Sequence, residues 1–368
     1  MHMYLKRINL TNFKNIPEAS IEFSSGMNCI NGNNGQGKTN LLDAIYYLSM
    51  TKSYFDAADR FTFRHGEQTA SVQGTYVSAD DTEETITVLL DKQGPKQVRR
   101  GKKAYERFSD HIGLIPIVMS SPTDTALVND AGSERRRFVN TFLSQTDKAY
   151  LRNLQDYNQL LMQRNKLLKQ ETVPADLLDV FSAKLAEYAD YIYHKRAELC
   201  ERLTPLVARY HSMLSDDAEE VKLQYVSDLH NGSLEDILRK EAERERVLKY
   251  TTAGVHHDDI LLLLDGHPLR KCGSQGQQKS FLIALKLAQF TIMKESYSFP
   301  PILLLDDVFD KLDSKRVAQL LAIVAGEDFG QIFITDSNKV RLGQTVAALD
   351  AECAMFDVED GRYTRIEG

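Results

Sequence analysis

The sequence predicts an α/β fold: a head with a mixed β-sheet and an antiparallel β element, and a helical arm lobe inserted between its two halves. Three observations predict it. A glycine-rich segment at residues 32–39 lies between a strand-like run and a helix-like run. An aliphatic run at residues 302–305 ends in two aspartates. Between them, residues 133–249 show helical periodicity. Because a purely aliphatic strand is typical of a parallel sheet buried on both faces, the two chain ends together predict one α/β head.

The composition indicates a globular protein with room for two or three domains. The chain has 368 residues, 42% of them hydrophobic and 26% charged, and a net charge of −7. That charge argues against a uniformly basic nucleic-acid-binding surface. Local basic patches are sufficient for contacts with a nucleic-acid backbone, so the charge does not exclude a nucleic-acid-binding protein.

Cysteine use and hydropathy predict a cytoplasmic location. The four cysteines are far apart and form no CxxC pair, which indicates neither a disulfide framework nor a zinc site. Residues 1–10 include Lys6 and Arg7 and lack the apolar core of a signal peptide. The longest apolar runs, such as residues 260–264, are far too short to span a bilayer. We therefore expect no association with a membrane.

Residues 32–39, GNNGQGKT, have the pattern GxxxxGK[ST] of a phosphate-binding loop, or P-loop. Glycines let backbone N–H groups point inward, and the N-terminus of the following helix favours negative charge. We expect Lys38 to reach the β- and γ-phosphates of a nucleotide and the Thr39 hydroxyl to bind Mg²⁺. The alternative is a chance glycine-rich turn, which the flanking strand and helix disfavour. The candidate nucleotide-binding residues are Gly32, Asn33, Asn34, Gly35, Gln36, Gly37, Lys38, Thr39 and Asn40.

Short strands are predicted on both sides of the loop in the sequence. Residues 4–10 and 19–23 read as an antiparallel pair joined by a turn at 12–15, and further strands are predicted at 70–76, 84–90 and 97–98. The next turn, residues 99–103, carries four cations: Arg99, Arg100, Lys102 and Lys103. Two interpretations of this basic turn stay open, an ordinary solvated turn and a contact with DNA phosphates.

The middle of the chain predicts the arm. After a buried strand at 112–119, apolar residues recur at helical spacing over residues 147–170 and 174–210. We expect antiparallel helices of about 25–35 residues, shorter than the coiled coils that build a long rod. A strand at 222–226 and a last helix at 233–250 complete this part of the chain.

Two further motifs have residues that could bind an anion, hold a metal ion or act as a general base. Ser274 and Gln277 have the S-x-x-Q spacing of a capping box before a helix, and a helix N-terminus with a serine hydroxyl is also an anion site. Asp306 and Asp307 end an aliphatic strand, where ligands of open α/β sheets bind. We expect Asp306 to hold Mg²⁺ and Asp307 to polarise an attacking water as a general base. The alternative for this pair is two acids that cap the next turn.

The order of these motifs resembles the ABC-type P-loop ATPases: P-loop, SQGQQ, two aspartates, then Leu312-Asp313. The opening LTNFKN at residues 10–15 is similar to the SMC-like branch. Residues 121–124, 135–138 and 306–313 resemble signatures of the RecF family. The resemblance covers essentially the whole chain.

The resemblance implies an ATPase head made of residues 1–110 and 255–368 and an arm of residues 111–254. It implies ATP and Mg²⁺ as ligands, with Lys14 a further nucleotide-binding candidate. It also implies an ATP-dependent homodimer in which Ser274, Gly276 and Gln277 of one subunit contact the γ-phosphate held by the other, with Asp313 near that interface. Double-stranded and gapped DNA and the protein RecR are the implied partners, in recombinational DNA repair and replication restart.

Departures from the family pattern refine this expectation. Asp307 stands where many ABC enzymes have glutamate, so we expect slow turnover that suits a switch. Thr335 and Asp336 stand where transporter ATPases have a histidine.

The main alternative to a RecF-type function is another SMC-like head that regulates a nuclease. A transporter ATPase lacks support because that histidine is missing, and a small-molecule kinase leaves SQGQQ unexplained.

Overall fold

The computed structural model describes residues 3–56, 58–171, 174–215, 219–310, 312–326, 328–338, 343 and 353–366. These divide into two compact units, which we call the head unit and the arm unit. The head unit comprises residues 1–124, 213–216 and 275–368, and the arm unit comprises residues 125–212 and 217–274. The two main changes of unit lie at 124/125 and 274/275, where the sequence predicted changes at 110/111 and 254/255, and residues 213–216 belong to the head unit as a short segment within the arm.

The secondary-structure elements that the sequence predicted follow one another in the predicted order. The described strands are β1 (Met3–Phe13), β2 (Ile16–Glu22), β3 (Met27–Asn31), β4 (Thr69–Ser78), β5 (Glu83–Asp91), β6 (Gln97–Arg100), β7 (Lys103–Ala104), β8 (Ile117–Ser120), β9 (Val221–Val226), β10 (Asp259–Leu264), β11 (His267–Pro268), β12 (Ile302–Leu305), β13 (Ile332–Asp336), β14 (Cys353–Glu359) and β15 (Arg362–Ile366). The described α-helices are α1 (Lys38–Met50), α2 (Thr125–Asn129), α3 (Gly132–Thr146), α4 (Lys148–Leu168), α5 (Ala175–Leu214), α6 (Leu234–Leu248), α7 (Leu269–Cys272), α8 (Gln275–Tyr297) and α9 (Ser314–Val324).

The head unit contains two six-stranded sheets. One is antiparallel, in the order β2-β1-β4-β5-β6-β7. The other is mixed, in the order β15-β14-β3-β13-β12-β8, and only the β14–β15 pair in it is antiparallel. Every residue of β3, β8, β12 and β13 is buried, as expected for parallel strands covered on both faces. The predicted mixed sheet and antiparallel element are both present.

Strand β8 explains the first shift in the domain boundary. It pairs in parallel with β12, with Ile117 opposite Ile302 and Ser120 opposite Leu305. The predicted strand 112–119 is shorter in the structure because Gly113 has a left-handed φ of 82° and turns the chain before β8 begins. An isolated strand cannot satisfy its backbone hydrogen bonds. Because β8 forms them with β12, residues 117–120 belong to the head unit.

The arm unit is helical with one small sheet. Its two longest helices differ in length from the prediction: α4 has 21 residues and α5 has 40. Strands β11, β10 and β9 form a three-stranded antiparallel sheet. Because β10 pairs with β9 over its whole length, residues 259–264 lie in the arm unit rather than in the predicted head. This pairing accounts for the second boundary shift.

Two buried ion pairs connect segments of the arm unit, one between two helices and one between α5 and the residue before β10. Arg164 of α4 donates to Glu245 of α6 at 2.6 Å, and both side chains are almost fully buried. Arg196 of α5 donates to Asp258 at 2.6 Å in an equally buried setting. Removing one partner of such a pair leaves a buried charge uncompensated, which typically costs about 3–5 kcal/mol.

Within the described residues, no helix is both long and apolar enough to cross a membrane.

Candidate nucleotide-binding site

The loop between β3 and α1 has the predicted strand–loop–helix form. Gly37 is the N-cap of α1, with a left-handed φ of 115°. A Cβ atom on Gly37 would lie 3.0 Å from the Tyr363 hydroxyl, and one on Gly32 would lie 2.6 Å from the Val358 carbonyl oxygen. Both positions therefore require glycine, one for its backbone conformation and both for the close approach of the neighbouring chain.

Neighbouring segments hold the shape of this loop through its carbonyl groups. The Asn15 amide donates to the Gly35 carbonyl at 3.1 Å, and the Tyr363 hydroxyl donates to the Gly37 carbonyl at 3.0 Å. The backbone N–H of Gly361 donates to the Gln36 carbonyl at 3.0 Å. Because donors from β1–β2 and from β14–β15 occupy these carbonyl oxygens, the loop is preorganised by contacts far apart in sequence.

The two polar side chains that begin α1 point to the centre of the site. The Lys38 amine donates to the carbonyl oxygens of Gly32 at 2.7 Å and Asn33 at 3.2 Å. The Thr39 hydroxyl lies 3.0 Å from each carboxylate oxygen of Asp306. The structure thus brings together the loop residues and the strand-end aspartate that the sequence assigned to one site.

Thr335 at the end of β13 links the two aspartates. Its hydroxyl donates to Asp306 Oδ1 at 2.8 Å and accepts from the backbone N–H of Asp307 at 2.9 Å. Burial raises the pKa of Asp306 to about 6, with Asp307 adding to the shift and the hydrogen bonds from Thr335 and Thr39 opposing it. Burial also raises the pKa of Asp307, against the attraction of Lys38.

Asp307 has an unusual backbone and an available carboxylate oxygen. Its φ is +41°, in the left-handed region that aspartate and asparagine tolerate better than most residues. Its Oδ1 atom is buried and has no hydrogen-bond partner. A buried acceptor without a partner costs free energy, so this oxygen is suited to a ligand or a water that the site takes up.

The oxygen atoms at this edge of the sheet fit a magnesium ion. The Thr39 hydroxyl and the Asp306 carboxylate are hard oxygen ligands, the type that Mg²⁺ prefers, and they already lie within hydrogen-bond distance of each other. The raised pKa of Asp306 reflects burial of its charge. A divalent cation beside it would favour the ionised carboxylate.

Two predicted nucleotide-binding residues lie at the edge of the loop. The Asn40 amide donates to Asn15 Oδ1 at 2.7 Å and so supports the loop indirectly. The Lys14 amine lies 2.7 Å from Asp43 and 2.9 Å from Asp56, and its side chain is 12% exposed. The structure thus directs the Lys14 charge to two carboxylates, and its predicted contact with nucleotide stays a prediction.

An open groove of about 720 Å³ begins beside this edge. It combines aromatic rings with cationic and amide side chains. Its lining residues are Lys14, Asn15, Asp56, Phe61, Phe63, Arg64 and His65. Asn15 lines this groove and also donates to the Gly35 carbonyl, so the groove and the loop share this residue.

The SQGQQ motif lies at the start of α8. Ser274 is exposed directly before the helix, while Gly276 and Gln277 are half-buried in its first turn. The predicted helix start is therefore present, one residue after the serine. Asp313 is the N-cap of α9, and its carboxylate accepts from the Arg316 backbone N–H at 2.9 Å.

The basic turn is a hairpin at the end of the antiparallel sheet. Strand β6 extends to Arg100, and Gly101, with φ of 55°, makes the turn into the edge strand β7. Glu84 pairs with Arg100 and raises its pKa, which offsets one of the four cations. Arg99, Lys102 and Lys103 are exposed.

Three comparisons place the chain among known proteins. A sequence profile for the RecF/RecN/SMC N terminal domain matches residues 4–362. The DNA replication and repair protein RecF of Parabacteroides distasonis is 44% identical over 365 residues, which cover 99% of this chain and 100% of the relative. The chain belongs to the RecF family. The RecF protein of Flavobacterium johnsoniae is 41% identical over 97% of this chain and 100% of its own length.

Solved structures confirm the predicted ABC-type ATPase head. A structure of the recombination mediator protein RecF with ATPrS in the RecFOR pathway is 30% identical and has a TM-score of 0.88, covering 99% of this chain and 98% of that one. The Smc head domain of Pyrococcus furiosus, at 16% identity and a TM-score of 0.58, covers 99% of this chain and 96% of its own and shares the fold alone.

Four residues that shape this RecF-family site were not predicted from the sequence. Thr335 was considered only as the residue that stands where transporter ATPases have a histidine, and Asn15 and Tyr363 were not assigned to the loop. Lys279, early in α8, also lies close enough for its charge to interact with Asp306 and Asp307. A local signal existed only for Thr335, a polar residue at the end of an apolar strand, and for Lys279, which directly follows SQGQQ.

Thr335→Val should raise the Mg²⁺ concentration needed for ATP hydrolysis by about tenfold or more. The change leaves the Asp307 N–H without its acceptor and removes one of the two hydroxyl donors to Asp306, losses that typically cost about 1–3 kcal/mol. Thr335→Ser keeps the hydroxyl and is the matched control. A valine variant with unchanged Mg²⁺ dependence and reduced thermal stability would show that Thr335 acts only in folding.

Proposed function

We propose that this RecF-family chain is an ATP-gated clamp, meaning a protein that closes as a homodimer on double-stranded DNA when ATP binds. The observation that carries the proposal is the convergence of Lys38, Thr39 and Asp306 at the carboxyl edge of the mixed sheet. P-loop enzymes hold a triphosphate and its metal with this set of groups. ATP hydrolysis would then reopen the clamp.

The residues around the loop have separable roles in this proposal. Lys38 would exchange its bonds to the loop carbonyls for bonds to phosphate oxygens, and Thr39 and Asp306 would hold Mg²⁺. When bound, Mg²⁺ would neutralise charge on the phosphate oxygens. Asp307 would orient and deprotonate the attacking water through its unpartnered carboxylate oxygen. Its side chain is one methylene shorter than glutamate, so we expect slow turnover.

The groove beside the loop suits the nucleoside part of ATP. Phe61 is 55% exposed, which is unusual for a large apolar side chain, and Phe63 lines the same groove. Aromatic faces stack on nucleobases, and the Arg64 side chain can add a cation–π contact. We therefore propose that the base lies over these residues, with Asn15 between base and loop.

The exposed start of α8 supports a role for a second subunit. Ser274 is exposed at the N-terminus of a helix of 23 residues, where backbone N–H groups and the helix dipole favour an anion. We propose that Ser274, Gly276 and Gln277 of one subunit contact the γ-phosphate held by the other. ATP binding then shifts the population from monomers to a closed dimer, because the nucleotide contacts both subunits only in that state.

The partners follow from family membership and are part of the same proposal. RecF relatives are named as DNA replication and repair proteins, and solved RecF structures are described within the RecFOR pathway. We propose that the clamp acts in the cytoplasm at gapped DNA, where double-stranded DNA meets a single-stranded gap, together with RecR.

Ser274→Arg should leave ATP binding by the monomer intact and abolish ATP-dependent dimerisation. The larger cation would occupy the space that the γ-phosphate of the other subunit needs. Sedimentation with and without ATP measures dimerisation, and a fluorescent ATP analogue measures binding. Ser296→Arg, an exposed serine at the other end of α8, is the matched control. A Ser274→Arg monomer that no longer binds ATP would refute the role in trans.

Neutralising the basic hairpin should weaken DNA binding and its salt dependence. In Arg99→Gln/Lys102→Gln/Lys103→Gln, three phosphate contacts would be lost, so the slope of log K against log [salt] should fall by up to about 2.7. The same number of charges removed from α6, as Arg239→Gln/Lys240→Gln/Arg244→Gln, is the control. An unchanged slope in the hairpin variant would identify the turn as ordinary solvated surface.

A further inference from the structure

Two cysteines from opposite ends of the chain meet beside the P-loop. Cys29 lies in β3, three residues before Gly32, and Cys353 is the first residue of β14. The two strands are parallel neighbours, with Met27 opposite Cys353 and Cys29 opposite Met355. The sulfur atoms of Cys29 and Cys353 are 3.2 Å apart, and both residues are free thiols.

We propose that Cys29 and Cys353 are a redox-modification site, a thiol pair that a peroxide oxidises to a reversible disulfide linking β14 to the strand that carries the P-loop. A disulfide bond is about 2.05 Å long, so the sulfur atoms must approach by only about 1 Å. Side-chain rotation together with a small shift of one strand supplies a displacement of this size.

Access and acidity both assign the first step to Cys353. Cys29 is fully buried, whereas Cys353 is partly exposed, so a small oxidant reaches Cys353 first. The hydrogen bond between the thiols lowers the pKa of Cys353 and raises the pKa of Cys29, and burial adds to the rise. Because the thiolate is the nucleophile, Cys353 is the thiol that attacks and Cys29 is the thiol that resolves.

The reaction is balanced with hydrogen peroxide as the two-electron oxidant. The Cys353 thiolate attacks one peroxide oxygen, the O–O bond breaks, and a sulfenic acid and hydroxide form. The Cys29 sulfur then attacks the sulfenic sulfur, the S–O bond breaks, and the released hydroxide takes the Cys29 proton. Two thiols and one peroxide thus become one disulfide and two waters. A reducing dithiol reverses the link by thiol–disulfide exchange.

Strand β14 transmits the change to the nucleotide site. Its turn into β15 donates to the loop at Gln36, and Val358 in β14 contacts Gly32 so closely that no Cβ fits there. Movement of β14 against β3 therefore distorts the loop. This consequence rests on the proposed binding of ATP at the loop. We expect about tenfold weaker ATP binding after oxidation, because preorganisation of the loop is lost.

The test uses the full chain treated with hydrogen peroxide, quenched, and alkylated under denaturing conditions. Before alkylation we expect a mass loss of about 2 Da, and after it two alkylated cysteines instead of four and a cross-linked pair of peptides containing Cys29 and Cys353. Cys353→Ser should abolish the cross-link, and Cys272→Ser, which removes an exposed cysteine elsewhere, should retain it. Four alkylated cysteines, or a link through another cysteine, would overturn the proposal.

ATP titration of the reduced and oxidised chain separates this proposal from the proposed function. A cross-linked chain with weaker ATP affinity, restored by dithiothreitol and absent in Cys353→Ser, supports the full proposal. A cross-link with unchanged ATP affinity overturns the coupling to the loop. If even the reduced chain does not bind ATP, the proposed function fails, while the mass measurement still decides whether the thiol pair forms a disulfide.

Discussion

Lys38→Met should abolish ATP binding and, with it, ATP-dependent dimerisation. Lys38 is 4% exposed and its ammonium group bonds to two loop carbonyls, so it is the cation at the centre of the loop. Bonds between charged groups contribute about 1.5–3 kcal/mol each. Loss of two such bonds to phosphate should weaken ATP binding by at least about 100-fold.

Lys38→Arg should be nearly as damaging, because a planar guanidinium does not fit the space of a compact ammonium between two carbonyl groups. Lys240→Met removes an exposed cation of α6 and is the control for net charge. Equilibrium binding of a fluorescent ATP analogue and sedimentation velocity with ATP are the measurements. A Lys38 variant that still dimerises on ATP would contradict the clamp mechanism.

Asp307→Asn should trap the ATP-bound dimer on DNA. Asparagine has the same shape as aspartate and tolerates the left-handed φ of +41°, so the fold and the ATP site should be retained. It cannot accept a proton from water at neutral pH, and loss of a general base typically lowers a rate by about 10²–10⁴-fold. Single-turnover hydrolysis should fall by that amount, and the lifetime of the dimer should rise accordingly.

The neighbouring Asp310→Asn is the matched control, because the Asp310 side chain is exposed and acts on Asp307 through its charge. The substitution keeps the backbone bond from the Asp310 N–H to the Asp307 carbonyl at 3.2 Å. Its effect on hydrolysis should be small. Asp307→Glu should not give a fast enzyme, since a longer side chain at a left-handed φ strains the backbone. If Asp307→Asn instead fails to bind ATP, Asp307 is a structural residue and its assignment as base is wrong.

Much of the fold could be predicted because its signals are local. The P-loop pattern, the aliphatic strand before Asp306 and the helical periodicity of the arm each depend on residue types at fixed spacing. The structure retains all three. The division of the chain into two units was predicted less accurately, because it depends on how strands distant in the sequence pair. Strand β8 is in the head because it pairs with β12, and β10 is in the arm because it pairs with β9.

In the candidate site, too, local motifs were predicted correctly and contacts between distant residues were not. Lys38, Thr39 and Asp306 were predicted from their motifs and lie together in the structure. Lys14 was assigned to nucleotide by resemblance, yet its amine pairs with Asp43 and Asp56. A lysine carries no local pattern that tells a carboxylate partner from a phosphate partner, so only its neighbours in three dimensions distinguish them.

By itself, the sequence determined the loop, the helix that follows it and the acidic end of β12, since each is encoded within a few consecutive residues. Only the tertiary structure decided that β13 lies between β3 and β12, which places Thr335 between the loop strand and the aspartates. It also brought Cys353 beside Cys29. The physical reason is that the order and register of parallel strands depend on packing between distant segments, which no local period specifies.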